Sequence, residues 1–138
     1  MFFKKKTDKV TSYLVKIGAL LIHAAKIDEN FTVKEEEIIK KTLLELGGPN
    51  IDLNSIIIKA KENEEQSNQI LDFTQEIKKM SDNEKIKIVE TLWKIIYSNN
   101  DADIYETNLM RRLSGLLYID SKIMGDIKGL LEVLNNNF

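Results

Sequence analysis

Cysteine is missing from this chain of 138 residues, and proline, histidine and tryptophan each occur once. Without cysteine there is no disulfide, thiolate zinc site or sulfur nucleophile, and the redox poise of the compartment leaves no mark on the sequence. The lone histidine, His23, excludes multi-histidine metal sites and leaves carboxylates, amides and hydroxyls as the available polar chemistry. Charge of one sign is also lacking. Twenty lysines and arginines face 22 aspartates and glutamates, a formal net charge of -2, so nothing global favours nucleic acid. The longest apolar run, Ile17 to Ile22, is far shorter than the roughly 20 residues that cross a bilayer, so no transmembrane segment is expected. The opening Phe2, Phe3, Lys4, Lys5 and Lys6 lack the apolar core and cleavage site of a signal peptide, and residues 1–8 are expected to form a flexible basic tail. That tail can make weak contact with an anionic membrane surface. A cytoplasmic location is the default expectation.

What the chain does have is helical periodicity almost throughout, and 43% hydrophobic residues suit a single domain over residues 1–138. A first helix is predicted from Asp8 to Lys26, with Val10, Leu14, Ile17, Leu21 and Ala24 or Ala25 on one stripe. Its partner starts at Thr32, where Thr32 and Glu35 have capping-box spacing, and ends at Gly47. A third helix begins near Asp52 and carries Ile56, Ile57 and Ala60 toward the polar stretch Glu62 to Asn68. A fourth contains Ile70, Phe73, Ile77 and Met80. Ser81 and Glu84 form a second capping-box pair that opens a fifth helix with Ile88, Val89, Leu92, Trp93 and Ile96. A sixth runs from Asp103 through Leu117 and a seventh from Asp120 to Leu134.

The chain repeats itself at an offset of 71 residues, which lays the segment around Asp28 on that around Asn99. Leu21 then falls on Leu92, Thr32 on Asp103, Glu35 on Glu106, Ile38 on Leu109 and Ile56 on Ile127. Each half reads as a long helix, a polar loop, a capped helix and a further helix. Neither half can bury its apolar stripe alone, so an all-α, compact bundle of about seven helices in two pseudo-repeated halves is expected.

These residues resemble the TerB-like domain of tellurite-resistance proteins, which is also found as the N-terminal region of DjlA-type co-chaperones. That pattern places an alanine-rich helix end before Asp-Gly and a glutamate seven residues after the aspartate. Ala25, Asp28, Phe31 and Glu35 match it in the first copy, and Tyr97, Asn99, Ala102, Glu106, Leu109 and Arg111 in the second. Glu29 and Asn100 stand where the family has glycine, and Asn99 replaces its second aspartate. No His-Pro-Asp triplet occurs, so the catalytic-stimulation module of the co-chaperones is absent from this sequence. The resemblance implies a non-enzymatic interaction or sensing module with a protein partner, in a stress or tellurite-resistance setting at the inner face of the membrane.

The resemblance further implies a divalent cation, calcium, magnesium or manganese, held by acidic residues. Asp28, Asn30 and Glu35 in the first loop and Asn99, Asp101, Asp103 and Glu106 in the second can supply oxygen ligands if the loops converge. Neither loop is an EF-hand, because Val33 or Ile104 stands where that loop needs glycine and Ile39 or Met110 where it needs a bidentate glutamate. A second reading of the same residues needs no ion. Glu35 and Glu106 stand three after Thr32 and Asp103, where capping alone accounts for them, at about 0.5–2 kcal/mol each. A third reading, a hydrolase with Asp28 and Glu35 as acid and base, requires two carboxylates in a cleft with their pKa values pushed apart. His23, Trp93, Tyr97 and Phe73 are read as packing, and Glu35, Glu36, Glu37, Lys40 and Lys41 as a solvated face matched to the helix dipole.

Overall fold

The computed structural model describes residues 2–26, 31–67, 71–97 and 104–136, with side chains for 11–26, 31–67, 72–97, 108–120 and 122–130. Seven helices make up the described residues: α1 (Phe2–Ala25), α2 (Val33–Gly47), α3 (Leu53–Gln66), α4 (Leu71–Ile77), α5 (Asp82–Tyr97), α6 (Ile104–Leu116) and α7 (Ser121–Asn136). The all-α expectation holds. The backbone of α1 begins at Phe2 instead of Asp8, so the basic segment Lys4 to Lys6 falls within helical backbone.

The caps explain the boundaries. Thr32 is the N-cap of α2, Asp52 accepts from the Ser55 amide at 3.2 Å to open α3, and Ser81 accepts from the Glu84 amide at 3.3 Å to open α5. Asp120 accepts from the Lys122 amide at 2.8 Å ahead of α7. Each removes one of the unpaired donors at a helix start, worth about 1 kcal/mol. At the other end of α2 the left-handed position is Gly48, φ 85°, and not Gly47, which remains helical. Gly47 is held small for a different reason: an added Cβ would lie 2.6 Å from Leu14 Cδ1 and 2.9 Å from Ile51 Cγ2. Helix α3 continues through the polar stretch as far as Gln66, and α4 stops at Ile77, leaving Met80 in the link to α5.

α1 departs from the single stripe expected of it. Ile17, Ala19, Leu20, Leu21, Ile22, Ala24 and Ala25 are all buried, so α1 is covered over most of its circumference in its second half, with Lys16 and His23 on a narrow half-buried edge. Such a helix belongs inside a bundle. It packs most closely on α3 and also on α2, α4 and α5. Gly18 permits the approach to α3, because a Cβ there would lie 2.9 Å from the Ala60 Cβ. α5 plays the same part in the second half, with Ile88, Val89, Leu92, Trp93, Ile95 and Ile96 buried and α7 as its principal neighbour. Each fully buried aliphatic side chain contributes about 1.5–3 kcal/mol relative to exposure.

The 71-residue offset is visible in the helices. Val33 opens α2 and Ile104 opens α6, 71 residues on, and a run of three helices recurs as α1–α2–α3 and α5–α6–α7 with α4 between them. Leu21 and Leu92 are both fully buried, as the alignment requires.

Candidate functional site

The two inter-helix loops carry most of the candidate oxygen ligands. Asp28 and Asn30 in the first, and Asn99, Asp101 and Asp103 in the second, lie outside the described residues. Glu106 is on the first turns of α6 by its backbone, and its side chain is outside the described set. Among the described residues no three carboxylate or imidazole side chains come together.

Glu35 is fully described, and the solvated face expected for it is corrected. It is 1% exposed. Its amide donates to Thr32 Oγ1 at 3.1 Å, while the Thr32 amide and the Thr32 hydroxyl both donate to Glu35 Oε1 at 2.9 Å. The capping box is complete in both directions. A carboxylate oxygen has two lone pairs for good hydrogen bonds, and Oε1 has used both, so only Oε2 is left to meet an ion or a proton. Burial is tolerable because the charge sits at the positive end of α2 with two donors aimed at it. The neighbouring acids do stay on the surface. Glu36 bonds Lys61 at 2.7 Å, tying α2 to α3, and that lysine holds its carboxyl below the ordinary value of 4.5. Glu45 is held low in the same way by Lys87, across to α5.

His23 occupies the end of α1, as placed by the sequence, and its setting is structural. Its Nδ1 lies 3.5 Å from Glu64 Oε1, Lys26 Nζ lies 2.8 Å from the other oxygen, and its ring leans on Phe73 at 5.9 Å between centroids. Phe73 and Trp93 are buried, and Tyr97 stacks on Trp93 at 5.8 Å.

Three features have no forerunner in the sequence reading. Lys85 is only 6% exposed, with its Nζ 6.0 Å from the centre of the Tyr118 ring, and Lys78 approaches the same ring at 5.6 Å. Tyr118 itself follows α6 with φ 58°, where the Ile119 amide bonds back to the Ser114 carbonyl at 2.9 Å, a helix ending that glycine usually serves. The third is a cleft of about 190 Å³ among α5, α6 and α7, one wall of which is Trp93, whose indole N–H has no acceptor. Periodicity marks Trp93 as core but cannot say which atom of the ring is stranded. A second cleft, about 290 Å³, lies between Tyr13, Leu14 and Ile17 of α1 and the Lys79 to Glu84 link.

The described residues thus form two three-helix units with α4 between them and clefts between helices. The family described as tellurite resistance protein TerB matches residues 15–128 of the chain, and the chain belongs to that family. No curated protein and no solved structure gives a significant match. Among the described residues no helix is long and apolar enough to cross a membrane.

Proposed function

We propose that the chain is a non-enzymatic protein-interaction module of the tellurite-resistance type. The observation that carries this reading is the outer face of α7, where Ile123 is 40% exposed and Leu130 64% exposed, one heptad apart on the same side of the helix. Apolar side chains repeating along one exposed helical face suit a partner protein, and Tyr118 adds a third large apolar surface at 71% exposure. The test is affinity capture with the wild-type chain and with Ile123→Lys/Leu130→Lys as baits of verified helicity. A partner held by the wild type and lost by the double variant supports the reading. Identical capture by both refutes it.

A second reading, divalent-cation sensing, draws support from Glu35. Its buried carboxylate opens α2 next to the loop bearing Asp28 and Asn30, with Oε2 as the oxygen available to a hard cation. Asn99, Asp101, Asp103 and Glu106 supply the second set of oxygens. Calorimetric titration with calcium, magnesium, manganese and zinc tests this directly. The expected result is saturable heat that Asp28→Asn weakens more than Asp101→Asn, since the spacing of Asp103 and Glu106 predicts that Asp103 serves as an N-cap and not as a free ligand. Silence at millimolar ion leaves the loops as helix connectors. The hydrolase reading needs Glu35 open to a substrate cleft, whereas its side chain is buried and engaged in the capping box.

A further inference from the structure

We propose that the cleft between α1 and the link from α4 to α5 binds a free apolar amino acid in its zwitterionic form. The floor is aliphatic: Leu14 and Ile17 are 3% and 0% exposed, and Leu46 and Met80 pack against the same core. The cleft measures about 290 Å³. A cavity of about 150 Å³ holds benzene, so one apolar side chain fits here with room left for a polar head group. The floor rewards burial of such a side chain and offers it no hydrogen bond.

The rim selects the head group, because it carries one charge of each sign. Lys79 is exposed, and its ammonium has no ion pair, hydrogen bond or ring contact among the described residues. Glu84 stands on the same rim with one oxygen committed. Its Oε1 accepts from the Ser81 hydroxyl at 2.9 Å, and its amide donates back to that hydroxyl at 3.3 Å. The pair fixes the carboxylate at the start of α5 and leaves Oε2 without a partner among the described residues. Lys79 and Glu84 form no ion pair with each other.

Two opposite charges, both open and both on the edge of one apolar floor, match a guest that brings an ammonium and a carboxylate together. A fatty acid would meet Lys79 but set its own carboxylate beside that of Glu84. An alkyl amine would meet Glu84 and set its ammonium beside Lys79. The Tyr13 hydroxyl, also on the rim and unbonded among the described residues, is a further donor for the guest's carboxylate. All of these residues line the cleft as it stands. Both charges are exposed, so each adds modestly and the affinity expected is millimolar. This site shares no residue with the acidic loops or with the outer face of α7, so its fate is separate from both readings above.

L-Leucine is the probe, titrated into the isotope-labelled full chain and followed by magnetic resonance of the backbone amides of Leu46, Met80 and Glu84. Three analogues each lack one part: isocaproate the ammonium, leucine methyl ester the carboxylate, and glycine the side chain. The expected result is saturable shifts with leucine and at least about fivefold weaker binding of every analogue. Lys79→Met should weaken leucine to the level of its methyl ester, and Lys79→Arg should retain binding. Glu84→Gln keeps the cap, since a capping box accepts glutamine, and should weaken leucine to the level of isocaproate. Met80→Trp fills the cleft and should abolish binding with the helical content unchanged. Isocaproate binding as tightly as leucine overturns the zwitterion. No saturation by leucine, or binding indifferent to Lys79→Met and Met80→Trp, overturns the site.

Discussion

The hydroxyls of Thr42 on α2 and Thr91 on α5 lie 2.7 Å apart in the interior, joining the two halves of the bundle. Thr91 Oγ1 also donates to the Lys87 carbonyl at 2.9 Å. A hydroxyl has one proton, so Thr91 spends its own on the carbonyl and Thr42 is the donor between the two. The order of donation predicts unequal substitutions. Thr42→Val removes a donor and leaves Thr91 bonded to Lys87, at a cost of about 1 kcal/mol. Thr91→Val strands the Thr42 proton in the core and should cost more, up to about 3 kcal/mol. The double variant, with neither hydroxyl buried, should be more stable than Thr91→Val alone. Urea denaturation of the four proteins measures the cycle.

Glu35 should be tolerant of one change and sensitive to another. Glutamine can accept from both Thr32 donors through its carbonyl oxygen, so Glu35→Gln should lower stability by less than about 1 kcal/mol. Glu35→Ala leaves those donors unmet in a buried place and opens a cavity, and should cost about 2 kcal/mol or more. A loss on Glu35→Gln that appears only with divalent ion present would mark ligation through Oε2.

Acid should loosen α2 from α3. Lys61 holds the Glu36 carboxyl below its ordinary value of 4.5, so folding favours the charged form. The resulting stability is present above the unfolded value and is lost as the pH falls through the depressed folded value. The pair is partly exposed, with Lys61 at 45% and Glu36 at 23%, so the effect is screened to about 0.5 kcal/mol. Between about pH 6 and about pH 3, Lys61→Met should therefore lose less stability than the wild type. Parallel curves for the two proteins would remove the pair from the acid response.

Gly18 and Ala60 form a matched contact between α1 and α3. Gly18→Ala brings a Cβ to 2.9 Å from the Ala60 Cβ, too close for two carbons, so the helices must part. Helix propensity gains about 1 kcal/mol from the same change, and the net effect on melting temperature decides which term is larger. Overpacking in an interior typically costs about 1–3 kcal/mol, so destabilisation is expected. Gly18→Ala/Ala60→Gly should recover part of the packing loss, because the contact needs one small partner and not a particular one. A single variant that melts higher than the wild type would show that α1 and α3 have slack at this crossing.

Local chemistry fixed much of this protein in advance. Thr32, Asp52 and Ser81 are legible as helix starts because a capping side chain bonds an amide within three residues of itself, and nothing distant is needed to form that bond. The offset of 71 is legible because each half must repeat the same apolar spacing to be buried by the other. Glu35 illustrates the limit of local pattern: spacing predicts the capping box but not the 1% exposure of the carboxylate. Burial depends on what packs over a residue, which for Glu35 is settled by the whole bundle. Tertiary structure alone decided that α1 and α5 are covered over most of their circumference, that Lys85 lies buried beside the ring of Tyr118, and that Trp93 keeps an indole N–H without an acceptor. Each of these depends on contacts between residues distant in sequence, where direction and distance are set by how helices cross, and helical periodicity carries no information about the crossing.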